Sequence, residues 1–132
     1  MKKNLTVMVL VSLTLGVPFL FSNSVAEGAE YCASSSLEIQ NALTASGENN
    51  EDDLIKIVQS AGEPYVGNFV YNSTNTGNLT IEGGYTVGCS SRIVNPGNTV
   101  LDANGSGTVL NLTNSNILGN IYVEGLTLQN GS

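Results

Sequence analysis

The chain contains no histidine and no tryptophan, only 4 lysines and arginines, and charged residues at just 11% of its 132 positions. Each shortage excludes something. Without histidine there is no imidazole to act as a general base, complete a Ser-His-Asp triad or ligate zinc. With 4 bases against 11 acids the formal net charge is -7, so no basic patch is offered to a phosphate backbone. Nucleic acid is therefore not an expected partner. The low charge content also separates the chain from charged disordered tails. Gly, Asn, Ser and Thr stand in its place, a composition suited to many short strands joined by tight turns.

The apolar residues are concentrated at the start. Lys2 and Lys3 precede a run from Leu5 to Phe21 broken only by Ser, Thr, Gly16 and Pro18. Ser24-Val25-Ala26 then places small residues where signal peptidase needs them. Residues 1–26 are thus expected to be a signal peptide cleaved after Ala26. The destination would be the bacterial cell surface or medium by a Sec-type route, with no membrane span left after cleavage. The processed chain would keep only Lys56 and Arg92 as bases, so it is more acidic still. Cys32 and Cys89 are its only cysteines. In an exported protein they are expected to pair, a loop closure worth roughly 4 kcal/mol in the chain-entropy model.

Past the leader, residues 27–47 read as a tether followed by a helix. Ser35 can cap while Glu38 reaches back, and Leu37, Ile39, Ala42 and Leu43 share one face. Gly47 is expected to end the helix, which would run from Ser36 to Ala45. Glu48 to Asp53 reads as an acidic, solvated turn. Short strands follow at Leu54–Val58 and Phe69–Tyr71.

The most informative feature is a repeat. Asn78-Leu-Thr-Ile-Glu-Gly83, Asn98-Thr-Val-Leu-Asp-Ala103 and Asn120-Ile-Tyr-Val-Glu-Gly125 share Asn first, an aliphatic residue fourth and a carboxylate fifth. Their spacing of about 20 to 22 residues, with no helix between them, fits a β-solenoid in which equivalent residues stack one strand apart. Alternation would put Leu79, Ile81, Leu101, Ile121 and Val123 inside, while Asn78, Asn98 and Asn120 would form an amide ladder. An antiparallel sandwich or barrel is the rival architecture. A solenoid exposes its apolar interior at both ends, so the helix is expected to lid the first coil. Nothing comparable follows Leu126–Leu128, so residues 48–132 read as the first coils of a truncated array. Their open end would need further coils or a partner.

Several segments also resemble a known family. Leu54-Ile-Lys-Ile-Val58 leading to Gly62-Glu-Pro-Tyr65 is similar to the opening of right-handed parallel β-helix, pectin-lyase-like domains. Leu79-Thr-Ile-Glu-Gly-Gly-Tyr85 with Cys89-Ser-Ser-Arg92, and Val123-Glu-Gly-Leu-Thr-Leu-Gln-Asn-Gly131, resemble blocks of exported bacterial β-helix proteins. The resemblance implies an all-β, right-handed parallel β-helix with an N-terminal capping helix. Enzymes of that fold are polysaccharide lyases and hydrolases. Their motifs do not carry over: Asp52 and Asp53 are adjacent, Asp102 stands among neutral residues, and Arg92 lies in a turn-rich loop. No catalytic residue is assigned.

One binding expectation follows from the repeat. In its register Glu82, Asp102 and Glu124 form a column, where like charges ~5 Å apart repel by about 1 kcal/mol in water. Calcium would relieve that repulsion through oxygen ligands; otherwise no cofactor is expected. The Glu48–Asp53 run is a second place to look for calcium. The expected function is a non-catalytic surface scaffold or adhesin-like protein, with a polysaccharide or another surface protein as partner. The N-terminal part of a polysaccharide lyase or hydrolase is one alternative. A carbohydrate-binding module stacking sugar on Tyr122 is another.

Overall fold

The structure, a computed structural model, describes residues 27–132; the expected signal segment lies outside them. Strand β1 (Glu30–Ala33) leads into the helix α1 (Ser36–Glu48). Eight further strands follow: β2 (Asp53–Val58), β3 (Tyr65–Val66), β4 (Phe69–Ser73), β5 (Leu79–Tyr85), β6 (Val100–Asp102), β7 (Leu110–Asn114), β8 (Ile121–Glu124) and β9 (Thr127–Gln129). They form three sheets: β1-β2-β5-β8, β3-β6-β9 and β4-β7. After α1 the chain visits the sheets in the same order each time. All strand pairings are parallel; one isolated bridge, Tyr85 to Arg92, is antiparallel. The architecture is therefore parallel sheet with one helix, not an antiparallel sandwich.

Alternation along each strand decides what faces in. Tyr31, Ile55, Ile81 and Val123 align on the first sheet, Tyr65, Leu101 and Leu128 on the second, and Phe69 with Leu110 on the third. Ile55, Ile81, Leu101 and Phe69 are at most 2% exposed and belong to one core. Burying each such side chain contributes ~2 kcal/mol.

The helix closes one end of this core. Ser35 accepts from the Glu38 N–H, and the Glu38 carboxylate accepts from Ser34 N at 2.8 Å. Ile39, Ala42 and Leu43 pack into the core. Gln40 does for β4 what a neighbouring strand would do: its Nε2 donates to Val70 O and its Oε1 accepts from Val70 N, both at 2.9 Å. An otherwise open strand edge is thereby satisfied.

Two sequence expectations need correction here. The helix does not stop at Ala45 but runs through Gly47 to Glu48. Gly47 is small because a Cβ there would come 2.6 Å from the Asn72 carbonyl. The glycine allows close approach to the third sheet instead of ending the helix. The repeat register also differs. Asn78 lies 26 residues after its stacking partner Asp52, and Asn120 lies 42 residues after Asn78. The segment from Asn98 to Ala103 stacks with neither: its strand β6 lies on the second sheet, between β3 and β9. An Asn turn followed by alternating residues suits the entry to any strand of the stack, so one pattern marks two different faces.

Candidate functional site

The outward face of the first sheet carries the most concentrated chemistry. Pairing aligns Cys32, Lys56, Glu82 and Glu124 in one outward column, and Glu30, Leu54, Thr80 and Tyr122 in the next. Between β5 and β6 the chain leaves the sheets from Thr86 to Asn98 and folds back across this face. Two devices hold it there. Cys89 forms a disulfide with Cys32, Cα to Cα 5.8 Å. Arg92 donates from Nε to Gly83 O at 2.9 Å, and its Nη1 contacts Glu124 at 2.5 Å and Glu82 at 3.2 Å.

Beneath this clamp Tyr85 is 9% exposed. Its hydroxyl donates to Glu82 Oε2 at 2.5 Å. Lys56 Nζ lies 5.7 Å and the Arg92 guanidinium 5.6 Å from the centre of its ring, a double cation–π arrangement. Lys56 in turn meets Glu30 at 2.5 Å. Burial, then the Glu82 carboxylate that accepts its proton, push the Tyr85 phenol up to about 12. The hydrogen bond from Arg92 and its charge hold the Glu124 carboxyl below the usual range.

The carboxylate column does not assemble as the repeat implied. Glu82 and Glu124 stack, but Asp102 lies on the second sheet and is 8% exposed. Its Oδ1 accepts from Asn104 N at 2.6 Å, and its Oδ2 accepts from the Gln129 and Asn130 amides at 2.7 and 2.8 Å. The Gln129 bond, then the Asn104 N–H, hold its carboxyl below the ordinary value. Asp102 joins a turn to the next pass of the chain. Calcium is not needed to relieve Glu82 and Glu124, because Arg92 sits between them. Among the described residues no three acidic, His or Cys side chains gather as a metal group. The amide ladder is likewise re-sorted: Asn120 Nδ2 donates to Asn78 Oδ1 at 3.1 Å and Asn78 Nδ2 to Asp52 at 3.2 Å, without Asn98.

Sequence reading missed Arg92 and Tyr85 as partners. Their only signal was that Arg92 and Lys56 are the sole bases after Lys3 in an acidic chain. Elsewhere Gly47, Asn72, Ser73, Thr74, Thr113 and Ser115 line a cleft of about 270 Å³ with neutral hydroxyls and amides. No family model, curated protein or solved structure matches the chain.

Proposed function

We propose that this chain is an exported right-handed parallel β-helix that serves as a non-catalytic scaffold or adhesin-like protein at the cell surface. The observation that carries the reading is the order in which the chain returns to three parallel sheets, with a helix over one end. Such a stack presents flat, regular outer faces and spends its polar groups on holding itself together. Both bases a lyase could have used on this face are engaged, Lys56 by Glu30 and Arg92 by Glu82 and Glu124. The Cys32–Cys89 disulfide suits an oxidising compartment.

The test is expression of the full chain in a bacterial host, followed by fractionation, intact mass and thiol counting. The reading expects protein outside the cytoplasm, a mass starting at Glu27 and no free thiol. Cytoplasmic protein with two free thiols would overturn it, as would turnover of a polysaccharide by the purified chain. A second reading, a carbohydrate-binding module, is favoured by Tyr122, which is 56% exposed in the outward column above Thr80. Glycan binding lost in Tyr122→Ala would support it.

A further inference from the structure

The strand stack guards its edges at one end and not at the other. An exposed strand edge invites pairing with another chain unless charge, proline or a covering element blocks it. At the lidded end each sheet has such a block. β1 carries Glu30, which meets Lys56. β3 is two residues long and follows Glu63-Pro64. β4 is covered by Gln40. At the opposite end β8, β9 and β7 each have a neighbour on one side only. No proline follows Pro96, and from Ala103 to Ser132 Glu124 is the only charged side chain. Arg92 already neutralises it.

The three open edges are built alike. Phe69 N–H donates to Val109 O, Leu79 N–H to Asn120 O and Thr127 N–H to Thr99 O. In a parallel ladder alternate residues bond to the same side, so Leu112, Val123 and Leu128 turn their backbone groups to the open side. Their side chains continue the inward columns of Tyr71, Ile81 and Leu101. Val123 and Leu128 are 41% and 49% exposed. This end thus offers apolar side chains and unpaired backbone on all three sheets at once.

Charge and shape together select what fits there. Every acid but Glu124 lies at Asp102 or earlier in the chain, so a basic partner is drawn to the rest of the surface. Two copies of an acidic chain repel wherever those acids meet, and at this end they do not meet. A single extended peptide satisfies one edge, whereas a second copy's open end brings three edges with the same arrangement. We infer that two copies of this chain associate through their open ends, β8 of one antiparallel to β8 of the other. Because α1 lids the other end of each copy, the contact is isologous and closes at two. The inference needs only the parallel stack, whatever its role at the surface.

The experiment is light scattering after size-exclusion chromatography of the intact, disulfide-bonded chain across a dilution series, with amide hydrogen exchange at the two extremes. The expected result is a doubled mass at high concentration that falls to the single chain on dilution. Exchange at Leu112, Val123 and Leu128 should slow several-fold as the pair forms. Val123→Lys and Leu128→Lys put a charge on the open edge and should leave a monomer. Leu37→Lys, at a residue of α1 that is 70% exposed, should still pair. A single-chain mass at every concentration would overturn the proposal. So would assemblies that keep growing, a pair surviving both edge substitutions, or a pair lost in Leu37→Lys. If neither edge variant folds by far-UV circular dichroism, exchange in the unaltered chain decides, and rates at the three amides that ignore concentration would sink the proposal.

Discussion

The two ends of the strand stack are made of similar residues and behave differently. On the first sheet Ile81 is 1% exposed and Val123, its neighbour in the same column, is 41% exposed. On the second sheet Leu101 is 1% exposed and Leu128, next in its column, is 49% exposed. At the helix end Ala33, Ile39 and Leu43 are each 1% exposed. Inward orientation is set by alternation along a strand, but burial is set by what lies on top. The helix supplies that cover in two ways, with its apolar face over the core and with the Gln40 amide on the edge of β4.

Matched substitutions at the two ends test this contrast most directly. Leu43→Ala under the helix should cost about 2–5 kcal/mol. Val123→Ala should cost less than about 1 kcal/mol, because little surface is removed from water. Urea unfolding followed by far-UV circular dichroism measures both, since the chain has no tryptophan to report. Equal losses would break the comparison. Next in size, replacing Cys32 and Cys89 together by serine should cost about 2–5 kcal/mol by the same assay, because the bond ties the tether of the helix end to the Thr86–Asn98 excursion. Gln40→Ala should cost about 1–2 kcal/mol by leaving the Val70 backbone groups to water. Gln40→Glu should not restore the loss, because a carboxylate cannot donate to Val70 O.

The smallest effects lie in the clamp and depend on pH. Glu124 is depressed by Arg92, so its contribution is present above the ordinary carboxylate range and fades as pH falls through the depressed value. The Tm gap between the native chain and Glu124→Gln should close in acid. Tyr85 is raised, so its contribution is complete below the ordinary 10.0 and is lost as pH climbs towards about 12. The gap between native and Tyr85→Phe should close over that alkaline window. A gap insensitive to pH in either pair would show that the clamp is held by packing alone.

Much of the fold was legible in the residues. Ser35 and Glu38 announced the start of the helix, and the aliphatic alternation at Leu79–Ile81 and Ile121–Val123 gave the inward face correctly. The Cys32–Cys89 bond was expected from there being only two cysteines in the chain. The stacking register was not legible. The Thr86–Asn98 excursion lengthens one pass of the chain, and an excursion leaves no mark on a local pattern. Asp102 was therefore assigned to the wrong column. Asp53 was read as part of a solvated turn, because nothing local tells a carboxylate at a strand entry from one turned into the core.

What the sequence determined alone was local: which segments extend, which residue caps the helix, which side of each strand is apolar. These depend on neighbours a few residues apart, where propensity and alternation operate. What only the tertiary structure decided was which segment lies above which, and so which charges meet. Arg92 reaches Glu124 across 32 residues and Lys56 reaches Glu30 across 26. Those meetings depend on loop lengths summed along the chain and on a cross-link that fixes one excursion over one face.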